Sequence, residues 1–411
     1  MNQIEYRDYN PEKDKKAVHR IWLECGWLEN DNVEPMDIMV ESCRSIVVDV
    51  NGQPECLVVS FPGDIDYIGE RLPLSCIGAV ATSLIARKQN IASRLTAARI
   101  ALDAEEGAAI SCLGMFEQGF YNKLGYGTGG YDLNFHFAPS ILNVKNSPGV
   151  PVRLTEDDWV IVHRSRLNRM RSHGSCSMIQ PEISQADIRF YKGGFGYGYI
   201  GKTGELTHHI WMNGQEKEHG PYEIQWMAYR NYEQFIELLA LIKSFGEQVH
   251  LVKMNEPPSI QMQDFLDKPF FHRQISKKSP YENTNRADAW WQMRICDLET
   301  CITNTHLQGD YVEFNLELSD PIEKYLGNKL SWRGVAGNYI IKLGDTSSVE
   351  VGYSDSLPIL KASVGAFTRL WLGVLPASSL AICDDLEGSN ILLSSLDKLM
   401  IIPKPMPDWL F

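Results

Sequence analysis

A chain of 411 residues, 44% hydrophobic and 22% charged, has the composition of an ordinary globular protein and the length for roughly two to four domains. Its net charge of −13 argues against nucleic acid as a partner and favours cations such as polyamines, amino sugars or lysine side chains. No apolar run approaches the ~20 residues that cross a bilayer, and the start Met-Asn-Gln-Ile-Glu-Tyr-Arg lacks the order of a signal peptide, so no membrane partner and a cytoplasmic location are expected.

In chain order, the first cluster of note is Trp22, Glu24, Trp27, Glu29 and Asp31. It reads either as a packed helix end or as a place where a cationic amine is held by charge and cation–π contact, with Trp22, Trp27 and Glu29 as its ligands. Residues 45–50 and 55–61 are β-rich runs flanking Asn51-Gly52, a hairpin turn signal. A strand over 74–82 is followed by a helix over about 90–106, with Ile91, Leu95, Ala98 and Leu102 at helical spacing and Gly107 placed as its cap. A short strand over 109–115, a short helix ending near 124–127 and an alternating strand over 131–137 complete the region. Strand, polar loop, helix and strand in that order predict a βαβ unit with parallel strands.

Residues 141–152, with Pro148, Gly149 and Pro151, read as a linker. Beyond it the rhythm repeats: strands over 196–201, 205–212 and 223–229, a helix over 232–245 and a strand over 248–254. The junction Arg230-Asn231-Tyr232-Glu233 lacks small residues, and Tyr232 and Glu233 would crowd or repel a pyrophosphate there. His208 and His209 alternate faces on a strand and do not share one ligand. After 277–288 come Trp290-Trp291, a strand over 311–318, helices near 376–385 and 390–399, and a tail with Pro403, Pro405 and Pro407. Nine cysteines without a Cys-x-x-Cys pair predict reduced, mostly buried thiols, with Cys76 and Cys112 in the core and no metal site.

Chemistry concentrates at 80–93. Val80, Ala81 and Thr82 end a strand, Arg87, Lys88 and Gln89 form a polar loop, and Asn90, Ile91, Ala92 and Ser93 open a helix. A helix start offers unpaired N–H groups and the positive dipole end to a pyrophosphate, and small residues let the anion approach. The stretch resembles the phosphate loop of GNAT acetyltransferases, Arg/Gln-x-x-Gly-x-Gly/Ala before a helix. Arg87 and Ala92 match, while Asn90 replaces the first glycine and tolerates left-handed backbone. The segment Gly119-Phe120-Tyr121-Asn122-Lys123-Leu124-Gly125-Tyr126-Gly127 resembles the same family's aromatic-x-x-x-Gly-Phe/Tyr ending. The likeness implies Tyr126 as general acid toward the leaving thiolate, with Tyr121 and Asn122 lining the cofactor channel.

With both motifs in place, the whole chain resembles the enhanced intracellular survival (Eis) family of acetyltransferases. Trp-Trp-Gln-Met-Arg-Ile-Cys-Asp at 290–297, Leu-Glu-Leu-Ser-Asp at 316–320, Thr-Arg-Leu-Trp-Leu-Gly at 368–373 and the aromatic C-terminus contribute to the likeness. It implies an α/β (α+β) chain: a GNAT domain (1–145), a diverged GNAT-like domain without a CoA site (146–288) and a sterol-carrier-protein-like domain (289–411). It further implies a homo-oligomer, a hexamer. In that family the C-terminal carboxylate is the general base, here that of Phe411; the prolines stiffen the tail and Trp409, Leu410 and Phe411 anchor it. The expected reaction is direct transfer from acetyl-CoA to a primary amine, with an N–H near 80–82 facing the oxyanion. An aminoglycoside-like or polyamine acceptor leads; a protein lysine or N-terminal amine is the alternative, and a silent carrier of apolar ligands is the competing class.

Overall fold

The computed structural model describes residues 5–28, 33–191, 193–214, 216–267, 269 and 281–411. The first region runs β1 (Tyr6–Asp8), α1 (Pro11–Cys25), α2 (Glu34–Ser42), β2 (Arg44–Val50), β3 (Gln53–Tyr67), β4 (Glu70–Thr82), α3 (Ile91–Glu105), β5 (Ile110–Gly114), α4 (Gln118–Asn122), β6 (Gly127–Thr128) and β7 (Asp132–Phe137). The middle region has β8 (Val152–Leu154), α5 (Trp159–Leu167), β9 (Cys176–Met178), α6 (Pro181–Phe190), β10 (Phe195–Ile200), β11 (Leu206–Gly214), β12 (Tyr222–Ala228), α7 (Tyr232–Ser244) and β13 (Val252–Asn255). The last holds β14 (Thr284–Asp288), β15 (Trp291–Ile295), α8 (Leu298–Thr303), β16 (Val312–Ser319), β17 (Gly337–Leu343), β18 (Ser348–Val351), β19 (Ile359–Ser363), α9 (Val364–Trp371), α10 (Ala377–Cys383), β20 (Leu386–Gly388) and α11 (Asn390–Leu399).

Three mixed sheets organise these elements. The first has the order β1-β2-β3-β4-β5-β15-β6 with β9 against β3; the second β14-β7-β13-β12-β11-β10-β8; the third β18-β17-β16-β19-β20. Each contains one parallel pair, β4–β5, β12–β13 and β16–β19, and its other pairs are antiparallel. Asn51 and Gly52 both take positive φ (54° and 76°), the geometry their dipeptide favours in a two-residue hairpin. Helix α3 buries Ile91, Leu95 and Ala98 as its spacing predicts. It also buries Asp103, whose carboxylate receives Ser60 at 3.0 Å, Ser75 at 2.7 Å, Arg99 at 2.8 Å and Arg44 at 3.1 Å. That satisfied charge ties α3 to the strands beneath it.

Strands cross the expected limits at 145 and 288. Strand β7 lies in the second sheet, and β15 enters the first sheet between β5 and β6. All five residues of β15 are buried, including Gln292 and Arg294, so the alternation that marks a half-buried strand is missing. Arg294 forms a fully buried pair with Asp320 at 2.5 Å and also donates to the carbonyl of Leu124. The last region thereby fastens the segment that carries Tyr121 and Tyr126. Among the described residues no helix is long and apolar enough to cross a membrane.

Candidate active site

Asn90 precedes α3 in the left-handed region, φ 60° and ψ 16°, with no side-chain cap bond. A residue that tolerates this conformation therefore stands where glycine is usual. The first-turn amides of α3 have no intrahelical acceptor, and Ala92 and Ser93 put little bulk beside them. Arg87, Lys88, Gln89 and Asn90 are exposed around this start, with Ile91 and Ser93 turned inward. The arrangement presents main-chain donors, a helix dipole and two cationic side chains to an anion.

The sheet opens next to it. Strands β4 and β5 pair in register only from Leu74–Ile110 to Ile77–Leu113. A bulge against β3 follows in β4, between Gly78 and Ala81, with Ala79 at φ 50°. Beyond it Val80 and Ala81 are buried and Thr82 half-buried, and no further β5 partner exists for this stretch. Bulges re-aim backbone groups in this way at functional clefts.

The last residue of the sequence reaches the same place. A side chain on Gly114, the final residue of β5, would overlap the main-chain oxygen of Phe411, so only glycine leaves room for it. The Phe411 ring lies 5.1 Å from Trp290, whose indole donates to Asp132 at 2.6 Å. Burial lifts the Asp132 carboxyl to about 6.

The two tyrosines differ. The Tyr126 hydroxyl is buried 2.6 Å from Ser111 Oγ, near the start of β5 rather than at its open end. Tyr121, at the end of α4, is buried as well, its ring packed edge-on against Phe116, Phe120 and Tyr126, and no hydrogen bond of its hydroxyl is found among the described residues. Burial raises both phenols above their ordinary value, which keeps them protonated at neutral pH. Asn122 accepts from Gln292 at 2.5 Å.

On the expected acceptor side, Trp22 needs correction. Its side chain is wholly buried in the first core, so it has no face for a ligand; the helix-end reading of this cluster describes it. Trp27 is 42% exposed. Glu24 accepts from the backbone N–H of Leu84 at 3.0 Å. Glu29 and Asp31 lie outside the described residues.

All nine cysteines are free. Cys76 and Cys112 face each other across β4–β5 in the core, and burial pushes both thiols up, so neither is a thiolate nucleophile. His208 and His209 do point apart. The first meets Glu237 at 3.2 Å; the second meets Ser165 and the Trp226 indole, both at 3.0 Å. Sequence reading missed Gln292, Arg294, Asp132 and the pair Arg166 and Arg169. Only the Trp290-Trp291 doublet hinted at the first two.

Residues 5–129 match the acetyltransferase (GNAT) domain family, the class that the open β4–β5 pair and the α3 start define. The chain thus carries a GNAT acetyltransferase domain, and its second sheet repeats the single, briefly paired parallel pair of the first. No curated protein sequence matches it. Among solved structures, a probable N-acyltransferase from Enterococcus faecalis is 18% identical, with TM-score 0.79 over 100% of both chains. A GCN5-related N-acetyltransferase from Anabaena variabilis is 15% identical, with TM-score 0.78 over 100% of both. Eis1 from Mycobacterium abscessus is 13% identical, with TM-score 0.75, again over 100% of both. These likenesses establish a shared fold along the whole chain.

Proposed function

We propose that the protein acetylates primary amines of small cationic molecules, aminoglycoside-like or polyamine, with acetyl-CoA as donor, as an Eis-type enzyme. In this reading 1–145 is the catalytic domain, 146–288 a GNAT-like domain without a CoA site, and 289–411 a sterol-carrier-protein-like domain, with β7 and β15 exchanged between neighbours. The observation that carries it is the meeting of three features at one opening: the α3 start, the bulged end of β4 and the Phe411 carboxylate against Gly114. The residues present fit acetyl-CoA. Amides of 91–93 with Arg87 and Lys88 suit its diphosphate, and the unpaired edge of Val80–Thr82 suits its pantetheine and the carbonyl oxygen.

In the transfer, the acceptor nitrogen forms the C–N bond as the thioester C–S bond breaks. The neutral amine attacks the carbonyl, and the Phe411 carboxylate orients it by hydrogen bond and takes the proton the nitrogen sheds. A carboxylate is a weak base at neutral pH, so this transfer occurs as bond formation acidifies the nitrogen. A tyrosine returns a proton to the leaving sulfur. Geometry favours Tyr121 for that task, because the Tyr126 hydroxyl expected to serve is already engaged by Ser111 inside the sheet.

The negative net charge supports a cationic acceptor. The test is acetyl-CoA titration followed by CoA release with a panel of polyamines, aminoglycosides and lysine peptides. Binding with turnover of the small amines supports the proposal. Turnover of peptides alone moves the acceptor to proteins, and an absence of binding removes the enzyme reading. Adding a few residues after Phe411 should abolish kcat while sparing acetyl-CoA affinity; an active extended enzyme removes Phe411 from the mechanism.

A further inference from the structure

We infer that the second domain is a receptor for the chain's own C-terminal peptide, with Arg166 and Arg169 acting as positioning residues for the Phe411 carboxylate. The inference rests on the reading of Phe411 as base, but its receptor half stands on separate observations. Strands β12 and β13 pair only at Tyr222–Val252 and Glu223–Lys253 before they part, the same device as β4 and β5. In the first domain that opening is offered to a ligand. Here the tail lies against it: residues 406–408 and 410 form one wall of a cavity of about 230 Å³ whose other walls include Ile224, Trp226 and Met254.

The contacts are specific. Arg169, itself buried, grips Asp408 with two parallel bonds, Nε to Oδ2 and Nη2 to Oδ1, both 2.6 Å. Its remaining donors are held by the Arg166 carbonyl at 2.7 Å, Ser177 at 3.1 Å and the Cys176 carbonyl at 2.5 Å, so the fork cannot swing. Trp409 is 1% exposed and stacks on the Arg166 guanidinium at 3.6 Å, which contacts Trp226 at 4.3 Å. A forked arginine and a cation–π contact read an Asp-Trp pair as a peptide-binding domain would. Upstream, the Met406 N–H bonds the His173 carbonyl at 3.1 Å, and a side chain on Gly174 would lie 2.5 Å from Met406 N. Two residues after Trp409 the chain ends at Gly114. On the far side Asp132 holds Trp290, on which the Phe411 ring rests. The carboxylate is thus fixed by an anchor in the second domain and a platform beside the first. Three alternating prolines leave the approach little slack.

The test uses the full-length protein. Asp408→Asn and Arg169→Gln are compared with wild type and with Asp408→Glu, which keeps the charge. The first readout is the rate at which a carboxypeptidase releases Phe411; the second is kcat and KM for acetyl-CoA. Release should accelerate on the order of tenfold or more in Asp408→Asn and Arg169→Gln, with Asp408→Glu between them and wild type. Their kcat should fall on the order of tenfold while KM for acetyl-CoA stays within about twofold, because the CoA groove is untouched. Unchanged release overturns the receptor. Faster release with undiminished kcat overturns the positioning role. Faster release in an enzyme whose extension past Phe411 costs nothing upholds the receptor and removes the base, so the two failures are distinguishable.

Discussion

Replacing the two tyrosines separately divides catalysis from stability. In Tyr126→Phe the lost hydroxyl strands Ser111 Oγ, 1% exposed inside the sheet. An unpaired buried hydroxyl costs about 1–3 kcal/mol, and adding Ser111→Ala should restore part of that loss. Turnover should change by no more than a few-fold, because this phenol faces the strand interior. In Tyr121→Phe no hydrogen bond is broken among the described residues, so the melting temperature should hardly move. Loss of a general acid lowers kcat by about 10²–10⁴, or about 2.7–5.5 kcal/mol in barrier. Thiol release from acetyl-CoA with a saturating amine gives kcat, and urea unfolding gives stability. A Tyr126→Phe enzyme of normal stability but a hundredfold slower, beside an active Tyr121→Phe, would refute this reasoning and return the acid to Tyr126.

Asn90→Gly should preserve acetyl-CoA affinity, whereas Asn90→Ala should lose about 1–2 kcal/mol of stability in urea unfolding, the cost of a side chain held at φ 60°. Arg294→Met leaves Asp320 charged and fully buried, so unfolding should become easier by about 3–5 kcal/mol, with partial recovery in Arg294→Met with Asp320→Asn. Burial holds His163 at about 4 and His209 at about 3, below the ordinary 6.5. The unfolded chain therefore takes up protons near 6.5 that the fold refuses. Their stabilisation is complete above that pH and is lost as pH falls toward 3–4, at about 1.4 kcal/mol per pH unit for the wholly buried His209. Asp132 opposes this, since its raised carboxyl stabilises the fold at low pH and ceases to as pH rises through about 6. Melting temperatures between pH 7 and 5 should decline, and less steeply in His209→Asn.

The left-handed turn at residue 90 was legible because asparagine's tolerance of that conformation is local chemistry, and α3 because its apolar spacing repeats. The docked tail was foreshadowed by its prolines and aromatics. Strand exchange was not legible: β15 has no alternation, and its choice of β5 and β6 as partners depends on contacts nearly two hundred residues away in sequence. The bond between the Tyr126 hydroxyl and Ser111 was not legible for a related reason, since motif spacing locates a residue on its segment but not the direction of its side chain. Arg166 and Arg169 sit on or beside a helix whose polar face reads as solvated until Asp408 and Trp409 arrive.

The most direct test is calorimetric titration of acetyl-CoA into wild type and Ala92→Glu. Glutamate in the first turn suits the helix dipole, so the fold should be kept or slightly strengthened, while its carboxylate occupies the space assigned to the diphosphate. Binding by wild type and a loss of about a hundredfold or more in the variant is the expected result. Equal binding by both proteins would place the diphosphate elsewhere and contradict the account.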